Sequence, residues 1–114
     1  MKMHELKTID PFFEQLGPDK KNLEIRYNDR KIERGDILIL AHWLGSAAEW
    51  SGKAVLAKVI YRLPLITVPN LVIPNPLGMV TEARYWEAFG LKFYEDGKQM
   101  KRTEAHKYAH KLVS

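Results

Sequence analysis

Apolar and polar residues alternate in several short blocks along this chain, and helical periods interrupt them. His4–Ile9 reads as a first strand. Asp10 and Pro11 follow as N-cap and first helical position, and Phe12, Phe13 and Leu16 give one apolar helical face that Gly17-Pro18 ends. Asn22 to Asn28 alternates: Leu23, Ile25 and Tyr27 point one way, Asn22, Glu24, Arg26 and Asn28 the other. Turns at residues 28–31 and 34–36 lead into the strongly apolar strand Ile37–Leu40.

The second half is more punctuated. His42–Gly52 reads as a loop holding Trp43 and Trp50, and Lys53–Leu63 as the longest strand. Pro64, Pro69, Pro74 and Pro76 restrict Leu65–Val68 and Leu71–Ile73 to short or edge strands. Leu77–Val80 offers a last short strand. Thr81 then caps a helix over Glu82–Phe89, closed by Gly90, and residues 91–97 carry no clear period. A terminal helix spans Thr103–Val113, with Ala105, Tyr108, Ala109, Leu112 and Val113 as its apolar stripe. The expected core brings Leu23, Ile25, Ile37, Ile39, Val59 and Tyr61 together. The order of elements predicts a β-rich mixed α/β domain: a small barrel with one helix after the first strand and two C-terminal helices.

A length of 114 residues fits a single domain, 1–114, in which 81–114 forms a helical C-terminal extension. With no cysteine, disulfides and thiolate metal sites are excluded. The start lacks the apolar region of a signal peptide, and no apolar run approaches the ~20 residues of a membrane helix. The expected setting is therefore cytoplasmic, without a membrane partner. The net charge of +4 matters mainly by its location. From residue 98 onward, Lys98, Lys101, Arg102, Lys107 and Lys111 face only Glu104. A polyanion is one partner for such a tail, and a solvated helix face is the other reading.

Glu24 and Arg26 sit two apart on a strand and share a face. Arginine's planar fork grips phosphate or stacks on a base, Glu24 accepts from a base amino group, and Lys21 supplies a point charge. The same pair also fits an ordinary surface ion pair, worth ~0–1 kcal/mol. Trp43 and Trp50 either stack on bases, at about 1–3 kcal/mol each, or plug the barrel mouth. His106 and His110 are one turn apart, but two ligands with no intervening glutamate make boundary histidines, and no metal is expected. Ser46, Ser51 and Ser114 lie in no nucleophile elbow, and no phosphate-cradling glycine loop is present.

Three stretches carry a likeness to a known family: His4-Glu5-Leu6-Lys7, then Lys20–Arg26 with Asn28-Asp29-Arg30, then Gly35–Leu40. Trp50-Ser51-Gly52-Lys53 leading into Val59-Ile60-Tyr61 adds a weaker match. Over residues 3–62 the chain resembles an uncharacterised, often phage-encoded family of ASCH-like domains in the PUA-like superfamily; the C-terminal third is unmatched. The resemblance implies a PUA-like β-barrel with a cleft beside the first helix, lined by the Lys-x-x-Glu-x-Arg strand. It implies a ligand-binding set of Lys7, Lys21, Glu24, Arg26, Asn28, Trp43 and Trp50, and RNA or a nucleotide-like ligand as partner. Some ASCH relatives deacetylate a modified cytidine with a Lys, a Thr and a Glu. Here the two threonine positions of their strand are Asn22 and Glu24, so no catalytic residue is assigned. The leading expectation is a nucleic-acid or nucleotide-binding module, for RNA above all, with no cofactor. The alternatives are a phage-type interaction protein docking on a host protein, and a hydrolase of a modified nucleoside.

Overall fold

The computed structural model describes residues 1–28, 30–65, 73–74, 80–81 and 86–114. Its elements in chain order are β1 (Met3–Thr8), α1 (Phe12–Gln15), β2 (Leu23–Tyr27), β3 (Ile37–Leu44), β4 (Glu49–Pro64), β5 (Ile73–Pro74), β6 (Val80–Thr81), β7 (Trp86–Phe93), β8 (Met100–Lys101) and α2 (Arg102–Val113). The main sheet runs β1-β3-β4-β7-β2, with β8 also on β4, and β5 pairs with β6 apart from it. β1 lies parallel to β3, and the other pairs are antiparallel. The result is a strand-rich, curled half-barrel sheet with few helices.

The apolar run in β3 follows from burial on both faces. Leu38 and Leu40 join Val55, Ala57 and Val59 of β4 and Phe89 and Leu91 of β7, together with Leu6, Phe13, Leu16 and Ile32. Ile37, Ile39 and Ala41 turn the other way, against Ala54 and Leu56, where Ala105 and Ala109 of α2 cover them. The small alanines of the terminal helix let it lie close on the strands.

Several expectations need correction. The segment read as a helix over Glu82–Phe89 is strand β7 from Trp86 onward, and 82–85 lie outside the described residues. β7 is buried without a break from Glu87 to Leu91, a pattern that a short helix also fits. Among the described residues the two expected C-terminal helices reduce to α2, preceded by a turn at Tyr94–Gly97 in which Glu95 and Asp96 have positive φ. The loop over His42–Gly52 is a hairpin: β3 runs to Leu44, β4 starts at Glu49, and Trp43 pairs with Trp50.

β2 has the opposite phase to the one expected. Glu24 is 4% exposed while Ile25 is 50% exposed, because neighbouring cations neutralise the glutamate. Tyr61 is exposed too, since a bulge between Val59 and Tyr61 shifts the phase of β4. Val59 and Ile39 belong to different clusters, because the β3/β4 register pairs Ile39 with Leu56 and puts Val59 on the face of Leu38 and Leu40. Asp10 does not cap α1, which has Pro11 at its N-cap; its carboxylate sits 3.0 Å from His42 Nε2 instead. Of the proline-punctuated stretch, Ile73–Pro74 and Val80–Thr81 pair as two-residue strands. The expectations for Leu65–Val68, Leu71–Ile73 and Leu77–Val80 otherwise fall mainly outside the described residues.

Candidate functional site

The sheet's two end strands, β1 and β2, face each other across a seam. Arginine side chains bridge it: Arg26 donates to the carbonyl of Lys7, and Arg30 to the carbonyl of Glu5. Beside the first bridge lies a hollow of about 580 Å³. Lys7 and Thr8 of β1 form one wall, Ile9 and Phe12 the next, and Lys21, Glu24, Ile25 and Arg26 the other.

Glu24 is the chemical centre of this hollow. Its Oε1 accepts from Arg26 Nε at 2.7 Å. Its Oε2 is 3.7 Å from Lys21 Nζ, close enough for ionic attraction but too far for a hydrogen bond. That oxygen is buried without a hydrogen-bond partner, as is Thr8 Oγ1. Buried polar atoms are nearly always satisfied, and an unmet one costs about 1–3 kcal/mol. Both residues line the hollow, with these two oxygens beneath its surface. Lys21 Nζ also sits 5.0 Å from the centre of the Phe12 ring, so a cation and an apolar ring border the same space.

Lys7, Lys21, Glu24 and Arg26 thus come together, whereas the other three residues of the expected set do not line this hollow. Asn28 closes the turn after β2: its Oδ1 accepts from Ile32 N–H, and its Nδ2 donates to Ile32 O and to Glu87 Oε1. Trp43 and Trp50 meet edge to face at 4.9 Å. Lys7 Nζ lies 3.9 Å from the Trp43 ring centre, and Arg102 stands 4.1 Å from that of Trp50. Lys7 links the tryptophan pair to the hollow.

Sequence reasoning missed Thr8, Ile9 and Phe12. Thr8 is buried on the same side of β1 as Leu6, a parity readable from the strand. Its proximity to Glu24 depends on the sheet's curl. Two further networks were also missed. Glu5 accepts both Arg102 Nε and Arg102 Nη2 at 2.8 Å and contacts His106, and these contacts with Arg102 foremost hold its carboxyl below the usual range against burial. His42 spans Ser51 Oγ at 2.8 Å and Asp10, with Phe13 stacked on its ring at 4.4 Å. The structure therefore does align a Ser, a His and an Asp, outside the hollow, with Ser51 Oγ also accepting from Lys53 N–H. Among the described residues no group of three or more His, Cys, Asp or Glu could hold a metal ion, and no helix is long and apolar enough to cross a membrane.

The chain is similar to an "Uncharacterized 12.9 kDa protein in GpA 3'region" of Escherichia phage P2, with 38% identity over 58 residues. The match covers 51% of this chain and spans about half the length, 51%, of the phage protein. It leaves the activity of either chain open. Residues 3–70 match the family model described as "Domain of unknown function (DUF3850)". That stretch includes the whole hollow and more than half of the chain, and the protein belongs to the DUF3850 family.

Proposed function

We propose that the chain is a nucleotide- or nucleic-acid-binding module of ASCH-like, PUA-like kind, directed at RNA, with the β1/β2 hollow as its site. The observation that carries this reading is the buried Glu24 carboxylate with one oxygen unsatisfied, framed by Lys21 and Arg26. A base amino group satisfies Glu24 Oε2, the Phe12 and Ile25 side chains cover a flat apolar ring, and Lys21 with the remaining Arg26 N–H groups attracts phosphate. Titration of a nucleoside monophosphate series, followed by calorimetry and repeated over a range of salt, tests it. Saturable binding that weakens with salt and drops roughly ten- to hundredfold in Arg26→Ala is the expected result. Lys107→Ala, on the exposed face of α2, should change it little. Equal losses in both variants would reduce the site to diffuse electrostatics.

A second reading is an interaction module that docks on a host protein. In its favour are the likeness to a phage protein and the exposed apolar side chains Ile60, Tyr61 and Leu63 on β4. Capture of one defined host protein, lost in Ile60→Asp but retained in Arg26→Ala, would favour it.

A further inference from the structure

The hollow has a neighbour on the same seam. A second depression of about 320 Å³ is also lined by Arg26, and its walls include Tyr27 at the end of β2, Arg30 and Trp86 at the start of β7. Tyr27 and Trp86 form a cross-strand pair, with ring centres 6.0 Å apart and planes at 69°. Both rings are more than a third exposed, as is Phe12 in the first hollow. A single exposed ring is ordinary, but here three line two adjoining depressions. Cations alternate with them: Lys21 and Arg26 by Phe12, then Arg30 by Tyr27 and Trp86. Among the described residues no carboxylate pairs with Arg30, whose guanidinium donates to a backbone carbonyl. Among the described residues, the one carboxylate in either lining is the buried Glu24.

We propose that a single-stranded nucleic acid runs along the β1/β2 seam, with one nucleotide in the hollow and a neighbouring base stacked on the Tyr27–Trp86 pair. The proposal rests on the nucleotide-binding reading above and extends it from one nucleotide to a strand. Alternating cations and exposed rings suit a strand whose bases are free to stack, since every base has a π-face and every linkage a charge. A duplex hides its base faces and cannot use the rings.

The test compares uridine monophosphate with labelled uridine and thymidine hexanucleotides and with a hairpin duplex. The hexanucleotides should bind more tightly than the monophosphate and the duplex. Trp86→Ala should weaken hexanucleotide binding about tenfold and leave the monophosphate unchanged, Trp86→Phe should restore it, and Arg26→Ala should weaken both. The two hexanucleotides separate RNA from DNA as the strand preferred. Photocrosslinking of the unaltered protein with a bromouridine strand avoids any folding defect in the variants, and should label Tyr27 or Trp86. Crosslinks confined to Trp43, Trp50 or α2, or a Trp86→Ala variant with full hexanucleotide affinity, would overturn the strand path while leaving the hollow. Absence of binding to the monophosphate and to every strand would overturn the underlying reading. Displacement of the hexanucleotides by a polyglutamate peptide at equal concentration would make the seam a site for acidic protein instead.

Discussion

Arg26 Nε lies 2.7 Å from Glu24 Oε1, two residues earlier on the same strand, and this contact lets a carboxylate occupy the inward face of β2. Removing Arg26 leaves a buried charge with only Lys21, at 3.7 Å, to answer it. Arg26→Ala should therefore destabilise the fold by about 1–3 kcal/mol in urea unfolding. Glu24→Gln removes the charge and should cost less. The reverse order of the two variants would show that the pair is not what permits burial.

Acid should unfold the protein through its paired carboxylates. Hydrogen bonds from Arg102 lower Glu5, with burial opposing and His106 assisting. At Asp36 burial pushes upward, but the His4 hydrogen bond and the backbone N–H groups of Lys2 and Glu33 outweigh it. Arg62 lowers Glu87 against burial, with help from Asn28. Because these folded values lie below the ordinary ones, 4.5 for Glu and 3.8 for Asp, the unfolded chain takes up protons first as pH falls. The stabilisation is complete above the ordinary values and is lost as pH drops through the folded ones. Tm should hold steady from neutral to about pH 5 and fall below it. Glu5→Gln should lower Tm at neutral pH and make the acid-side decline shallower; an unchanged decline would count against this account.

Gly90 serves a close approach between strands. A Cβ built there would sit 2.0 Å from the Tyr61 ring. Gly90→Ala should displace that ring and cost about 1–3 kcal/mol of stability. Tyr61→Ala in the same chain should recover most of the loss, and a double-mutant cycle measures the coupling. Additive losses would locate the penalty in the backbone.

No release of acetate from acetylated cytidine is expected. The strand positions where ASCH-like deacetylases carry threonine are Asn22 and Glu24 here, neither of which has a hydroxyl. Chromatography of the incubated nucleoside is the check. Turnover that disappears in Lys21→Ala would reverse this expectation.

The parts of the fold that a reader of the sequence could see are those fixed by local periodicity. α2 shows its stripe at Ala105 and Ala109, and β3 shows its double burial in an unbroken apolar run. β2 misled because Ile25 and Tyr27 are exposed and Leu23 only half-buried while Glu24 is buried, and the reason lies in ion pairs that alternation does not encode. Trp86–Phe93 misled because Thr81 and Gly90 resemble the caps of a short helix over Glu82–Phe89, and only the neighbouring strands decide. Lys21, Glu24 and Arg26 were legible as a group because one short stretch carries all three. Thr8 and Phe12 were not, since they reach the hollow only when the sheet curls and its end strands meet.

The strand order also sets how the molecule must assemble. β3 and β4 join across a turn at residues 45–48, whereas Met3 must find Ile37 and Leu23 must find Gly90. Chain closure over such separations costs more entropy, so the hairpin can form early while β1 and β2 attach late. Both are also terminal strands with one paired neighbour each. The walls of the hollow are thus strands held on one side only, and any molecule that spans them pins two late-joined pieces of chain to each other. Occupancy should therefore register as slowed amide exchange in β1 and β2, with β3 already protected and little changed.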